Sequence, residues 1–146
     1  MFAARRINPI LVQTTSTEKV KYMQRFWIIA GALNMLAALA FAAATGHAPP
    51  GDFVPMSRQI LDTAREMHFV HALALVLVSI LTAQFGTSRL LNAAGGAFLL
   101  GIVCFSGGLD AAYGPLAFDV KSLIPVGGIF FMLGWIMLAL ASRKFL

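Results

Sequence analysis

Two histidines and the charged residues beside them are the part of this sequence whose residue types and spacing suggest chemistry. Glu66, His68 and His71 follow Arg65 at the start of a long apolar segment. Imidazole and carboxylate groups bind metal ions, and they also accept and donate protons. Since helical residues three apart lie on one side of a helix, His68 and His71 are spaced so that both rings reach one ligand.

The composition sets the environment in which these groups must work. Hydrophobic residues make up 59% of the 146 residues and charged residues only 12%, whereas roughly a quarter of the residues in a soluble domain are charged. The mean hydropathy is +0.81. The sequence therefore predicts a single-domain integral membrane protein.

The net charge of +5 does not indicate a nucleic-acid partner. The basic residues lie at the ends of apolar segments rather than in a patch with aromatic residues, and this pattern is typical of membrane orientation. We expect the bilayer as the main partner, with lipids and no other cofactor. The single cysteine, Cys104, excludes an intrachain disulfide.

Four apolar segments predict an all-α membrane protein with four transmembrane helices in an antiparallel bundle. A basic cytoplasmic tail covers residues 1–25 and the transmembrane domain covers 26–146, with the second helix beginning near residue 57. The spans themselves are expected at about 26–45, 66–86, 90–109 and 124–141.

Arginine and lysine residues are distributed unequally between the two ends of such a bundle. Eight of the eleven lie in the N-terminal tail, the second turn and the C-terminus, and three lie in the other two loops. Because cytoplasmic segments carry the excess of basic residues, both termini are predicted to be cytoplasmic. We expect the bacterial inner (plasma) membrane.

Antiparallel spans bring further polar residues to the depth of the two histidines. The candidate polar cluster comprises Glu66, His68, His71, Ser106 and Asp110. One interpretation is that His71 hydrogen-bonds Ser106 or a backbone carbonyl and locks helices two and three together. The alternatives are a metal or cofactor site and a vestibule that handles protons or a solute.

Small residues and one amide indicate how the helices pack. Asn34 lies near the middle of the first span, where an interhelical hydrogen bond is expected and a ligand contact is the alternative. Small residues allow helices to approach closely in a membrane. The remaining predicted packing positions are Ala97, Gly101, Gly108, Gly127, Gly128 and Gly134.

Three motifs resemble a known family of small four-span membrane proteins, the domain of unknown function 423 family, which includes a eukaryotic transmembrane relative. Residues Thr63–Leu75 are similar to its "yHxxHALAL" segment, and Gly101–Leu109 to its "GxxLFSGSL" segment. Ile124–Gly128 followed by Leu133–Trp135 is similar to its "xPxGGxxxxxGWxxLA" segment. The resemblance covers roughly residues 60–142. It implies a four-helix membrane bundle and implies no activity.

We find no phosphate-binding loop, nucleophile elbow or metalloprotease pair in the sequence. The small-residue faces exceed what one small bundle needs, so the leading hypothesis is a non-enzymatic structural or accessory subunit of a larger membrane complex. A small transporter or channel that uses the polar cluster as a vestibule is the first alternative. A metal- or cofactor-binding membrane subunit is the second.

Overall fold

The first helix is longer than its apolar segment. A computed structural model describes residues 9–46, 55–114 and 118–144. Helix α1 runs from Pro9 to Gly46, so residues 9–25 of the expected tail are helical, whereas residues 1–8 lie outside the described residues. The sequence explains this extension, because proline is favoured in a first helical turn and neither glycine nor proline occurs between Pro9 and Gly31.

Helix α2 and helix α3 are joined by a turn of three residues. Helix α2 runs from Pro55 to Phe85, and α3 from Arg89 to Gly101. Gly86 ends α2 in the left-handed region with φ of 78°, which glycine adopts without a steric penalty. The Ser88 hydroxyl then accepts a hydrogen bond from the Leu91 N–H at 3.1 Å and caps α3. So short a turn makes α2 and α3 antiparallel neighbours.

The third span contains a π-helical turn. Residues Ile102–Ser106 form this turn, and α4 continues from Gly107 to Tyr113. The Gly107 N–H donates to the carbonyl of Ile102, five residues earlier. The helix therefore extends beyond the expected end at residue 109, and Asp110 belongs to the helix rather than to the following loop.

Helix α5 completes the bundle from Leu123 to Ala141, followed by a 3-10 turn at Ser142–Lys144. The prediction of an all-helical protein with four helices long and apolar enough to cross a membrane is confirmed. The described ranges contain no strand. Within the described residues, the helical segments that meet this criterion of length and composition are Thr17–Thr45, Met56–Phe85, Arg89–Tyr113 and Leu123–Ala141.

Helices α2 and α3 form the middle of the bundle, with α1 packed on α2 and α5 packed on α3. The fully buried apolar side chains Leu75, Val78, Leu91 and Phe98 come from these two central helices. We name the two ends of the bundle after their arginines. The Arg89 end holds the α2–α3 turn, and the Arg65 end holds the start of α2.

At the Arg89 end, hydrogen bonds connect α1, α3 and the α2–α3 turn. Trp27 on α1 is only 4% exposed. Its indole N–H donates to Asn92 Oδ1 at 3.0 Å, and the Asn92 amide donates to the Thr87 hydroxyl at 2.9 Å. The Trp27 ring lies so close to Gly95 that a Cβ there would contact it at 2.6 Å. The glycine thus makes room for the indole.

Candidate functional site

His71 is held by partners on both sides of its ring. Its Nδ1–H donates to the Met67 carbonyl at 2.7 Å, and its Nε2 accepts from the Trp135 indole N–H at 3.1 Å. Since a carbonyl only accepts and an indole N–H only donates, His71 is the neutral tautomer with its proton on Nδ1. Both ring nitrogens are therefore occupied within the protein.

Aromatic rings enclose the same imidazole. Phe131 stacks on His71 with 3.5 Å between ring centroids and an interplanar angle of 10°. Phe98 lies 5.6 Å from His71 and 5.1 Å from Trp135, measured between centroids. His71 is 3% exposed. Of the two expected partners, Ser106 and a backbone carbonyl, His71 bonds a carbonyl, that of Met67 in its own helix, and it joins α2 to α5 rather than to α3.

His68 points to the other side of α2. Its Nε2–H donates to Asn34 Oδ1 on α1 across 3.4 Å, a long and therefore weak hydrogen bond. The Asn34 amide nitrogen donates to the Ala30 carbonyl of its own helix at 2.8 Å. His68 thus faces α1, whereas His71 faces α5, and the structure does not bring the two rings to one ligand.

The described side chains do not assemble a metal centre. Within residues 17–45, 56–114 and 118–143, no three histidine, cysteine, aspartate or glutamate side chains converge on one point. Glu66 is exposed on the surface of α2 and lines neither of the two cavities beside His68 that the described residues form. Of the predicted polar cluster, His68 and Asp110 share a cavity, and the other three members lie elsewhere.

That cavity is a groove of about 410 Å³ between α1 and the α3–α4 segment. Its walls are mainly apolar, and Val103 on one wall is 67% exposed, so the groove opens at the side of the bundle. We call it the His68 groove. It is lined by Asn34, Ala37, Phe41, His68, Ile102, Val103, Gly107, Asp110, Ala111 and Phe118.

A polar arrangement at the Arg65 end borders this groove. Arg65 Nη2 donates to the Thr45 hydroxyl and pairs with Asp62, each at 3.1 Å. Arg65, His68 and Asp110 line a narrow space next to the groove. Because Arg65 pairs with Asp62 rather than with Asp110, the Asp110 carboxylate has no ion pair among the described residues. It remains free to accept a hydrogen bond from another molecule.

Ser106 lies in the π-helical turn and is fully buried. Its hydroxyl has no hydrogen-bond partner in the part of the chain that the structure describes. The Ile102 carbonyl, four residues earlier, accepts from the Gly107 N–H. A buried hydroxyl without a partner destabilises a fold by about 1–3 kcal/mol.

The predicted packing residues lie mostly between α3 and α5. A Cβ on Gly101 would overlap the Phe131 ring, one on Gly127 the Phe105 backbone, and one on Gly108 would approach Ile124 at 3.2 Å. Ala97 is also buried on α3. Gly128 is more loosely surrounded, since the nearest atom to a Cβ there lies at 3.7 Å.

Gly134 on α5 makes a similar close contact with the Phe98 ring, which a Cβ would meet at 2.5 Å. Two further residues contribute equally to the contacts between helices, and the sequence did not identify them. Gly31 lies against Val76 and the Ala72 carbonyl of α2, and Trp135 is the hydrogen-bond donor to His71. The spacing of Phe131 and Trp135, four apart on one helix face, was the available signal for a shared partner.

Comparison with known proteins assigns this chain to a family. Residues 40–128 match the family described as "Protein of unknown function (DUF423)". The chain belongs to the DUF423 family. The motif resemblance found in the sequence is thereby confirmed, and the description attached to the family carries no activity.

Curated relatives are bacterial membrane proteins. The chain is 31% identical to UPF0382 membrane protein YwdK from Bacillus subtilis, over 84% of this chain and 99% of that protein. It is also 31% identical to UPF0382 membrane proteins SAB0533 from Staphylococcus aureus and SERP0230 from Staphylococcus epidermidis, over 83% of this chain and 98% of each relative. No solved structure matches the chain with statistical significance.

Proposed function

We propose that this DUF423 protein is an accessory membrane subunit without catalysis of its own, and that it docks a helix of a partner subunit in the His68 groove. The observation that carries this proposal is the groove itself, which holds His68, Asn34 and Asp110 yet opens at the side of the bundle. Polar and ionisable groups in a membrane almost always face protein or water. A covering helix would supply that protein surface.

The walls of the groove suit a helix. Ala37, Gly107 and Ala111 are small, and the spacing of Gly107 and Ala111 is the four-residue interval that permits close helix approach. The partner should carry a hydrogen-bond donor opposite Asp110, because the Asp110 carboxylate accepts hydrogen bonds. The expected partner segment is therefore an apolar helix with one hydrogen-bond donor, such as serine, threonine, asparagine or histidine.

Site-specific photo-crosslinking in native membranes tests this proposal. A photoreactive residue at Val103 places the probe in the groove, and one at Ile136 places it on an exposed surface of α5 as a matched control. We expect a discrete protein adduct from position 103 and not from position 136. Mass spectrometry of the adduct then identifies the partner segment. Identical adducts from both positions, or none from position 103, would contradict the docking of a helix there.

The size of the groove favours a second candidate, a lipid-soluble small molecule with one polar end. Pockets for small molecules typically have volumes of about 300–1,000 Å³ and mainly apolar walls with a few placed polar groups. The groove, at about 410 Å³, falls within this range. In the crosslinking experiment this candidate predicts a small mass increase on the protein instead of a second polypeptide.

Conduction through the bundle is less well supported than binding. Leu75, Val78 and Leu91 are fully buried and occupy the core beyond His68 and His71, toward the Arg89 end. A solute that entered the groove would meet this packed layer. Reconstituted protein is therefore expected to show no ion flux above that of empty liposomes, and a flux that His71→Ala removes would restore the transporter hypothesis.

We further propose that the protein lies in the inner (plasma) membrane with both termini cytoplasmic, because eight of its eleven basic residues belong to the Arg89 end and the terminal segments. Cysteines placed at Lys121 and Arg143 in a Cys104→Ala background report the orientation. In intact cells, a membrane-impermeant maleimide should label position 121 and spare position 143. Labelling of position 143 but not of position 121 would show the opposite orientation in the membrane. That result would leave the proposal for the His68 groove unchanged.

A further inference from the structure

A second cavity at the opposite end of the bundle has the chemistry of an anion site. It measures about 350 Å³ and lies between α1 and the start of α3. Two cations line it, and no carboxylate does among the described residues. Its lining consists of Lys19, Thr87, Ser88, Arg89, Leu90 and Asn92.

The two cations are not neutralised within the described part of the chain. The ion pairs found there join Lys21 to Glu18 and Arg65 to Asp62, and neither involves Lys19 or Arg89. Two uncompensated cations beside one cavity attract an anion. An arginine guanidinium matches the geometry of phosphate oxygens particularly well.

Hydrogen bonds already orient the two hydroxyl groups of the cavity. Thr87 Oγ1 accepts from the Asn92 amide at 2.9 Å, and Ser88 Oγ accepts from the Leu91 N–H at 3.1 Å. Because each hydroxyl oxygen is occupied as an acceptor, its own hydrogen is available for donation. The cavity therefore combines two cations with two hydroxyl donors, and this set recognises an oxyanion.

The position of the cavity selects the source of that anion. Arg89 begins the third membrane-spanning segment, and Lys19 lies on α1 about two turns before the apolar residues that begin at Phe26. This is the depth of lipid headgroups. Leu90 is 39% exposed beside the cavity and offers an apolar surface for an acyl chain. Basic pockets between transmembrane helices are known to bind anionic headgroups.

We propose that the cavity between Lys19 and Arg89 binds the phosphate of an anionic lipid headgroup. The lipid would join α1 to the α2–α3 turn at the Arg89 end. This site is separate from the His68 groove and does not depend on the function proposed for that groove.

Native mass spectrometry of the full-length protein in mild detergent tests the proposal. The protein is mixed with equal amounts of phosphatidylglycerol and phosphatidylcholine, and the ratio of the two bound lipids is measured. The wild-type protein should retain phosphatidylglycerol preferentially. Each basic residue near an anionic surface strengthens binding roughly fivefold. The double variant Lys19→Gln/Arg89→Gln should therefore lower the ratio by roughly 30-fold.

Two further variants separate the site from general charge and from folding. Arg25→Gln/Arg143→Gln removes two exposed cations from the same end without touching the cavity, and the ratio should change less than twofold. Lys19→Arg/Arg89→Lys keeps both charges and should retain the preference. The proposal is overturned if the Lys19/Arg89 glutamine variant keeps the wild-type ratio or if both glutamine variants lower it equally. It is also overturned if millimolar inorganic phosphate displaces the lipid completely, because the site would then serve a soluble phosphate compound.

Discussion

His68 and His71 lie three residues apart on one helix and are almost equally buried, at 8% and 3% exposed, yet their surroundings differ completely. His71 uses both ring nitrogens in hydrogen bonds and stacks on Phe131. His68 forms one long hydrogen bond to Asn34 and lines an open groove. Residue type and burial therefore do not distinguish a histidine packed within the bundle from one that lines an open groove, whereas the partners on neighbouring helices do.

The same contrast extends to two sides of the bundle. On the side where α3 meets α5, the Phe131 and Phe98 rings pack against Gly101 and Gly134, and no space remains for a Cβ at either glycine. On the side where the end of α1 faces α4, small apolar residues border a groove with polar groups on its floor. We interpret the first side as a part that holds the bundle together and the second as the part that binds another molecule.

Replacement of the two histidines by alanine should give the largest difference between the two sides. His71→Ala removes a buried stacked ring and leaves the Trp135 N–H without its acceptor, so the free energy of unfolding should fall by about 3 kcal/mol. His68→Ala loses one weak hydrogen bond at the edge of a groove and should cost about 1 kcal/mol. Unfolding with dodecyl sulfate in mixed micelles measures both values. Equal losses would contradict the assignment of different roles.

Adjacent glycines on α5 provide a matched test of close packing. Gly127→Ala would push a methyl group into the Phe105 backbone and should lower the free energy of unfolding by about 2 kcal/mol. Gly128→Ala meets only ordinary contacts at 3.7 Å and should be neutral or slightly stabilising, because alanine favours helix. Thermal unfolding of both variants measures the difference. Equal melting temperatures would show that α5 and the π-helical turn do not approach as closely as described.

Removal of the buried Ser106 hydroxyl is expected to stabilise the protein, unlike the substitutions above. Ser106→Ala removes a group without a hydrogen-bond partner among the described residues, so the free energy of unfolding should rise by about 1 kcal/mol. Ser79→Ala is the matched control, since the Ser79 hydroxyl donates to the Gln24 carbonyl at 2.9 Å and its loss should destabilise the protein. Destabilisation by Ser106→Ala would indicate a partner for this hydroxyl in the membrane.

A substitution within the groove should have the smallest effect on stability. Gly107 is exposed, and a Cβ there meets nothing closer than 3.7 Å, so Gly107→Leu should change the free energy of unfolding by less than about 0.5 kcal/mol. The leucine side chain should nevertheless occupy the groove and abolish the crosslink from Val103. An unchanged crosslink in this variant would mean that the captured molecule binds outside the groove.

Much of the fold follows from the sequence because hydropathy and helix length depend on local residues. Four apolar segments were sufficient to predict four spanning helices. The direction in which each histidine points was not predictable, since it depends on the rotation of α2 relative to α1 and α5. The π-helical turn at Ile102–Ser106 was not predictable from the local sequence either. It lies where the Phe105 backbone contacts Gly127, a residue of another helix.

The partners that polar residues find on neighbouring helices were likewise not predictable from the sequence. Asn34 was expected to bond another helix, but nothing in the sequence identified His68 as the residue it would meet. Trp27 is buried because Gly95, 68 positions later, leaves space for its ring. Contacts of this kind depend on pairs of residues that are distant in sequence, and a single sequence does not report them.

The central claim, that the His68 groove is covered in the membrane, is tested most directly by cysteine protection. In a Cys104→Ala background, Val103→Cys in the groove and Ile136→Cys on α5 are treated with a lipid-soluble maleimide, in native membranes and after purification. We predict that position 103 is protected in native membranes and reactive after purification, whereas position 136 reacts in both. Equal reactivity of position 103 in the two preparations would contradict the claim that this groove binds a partner.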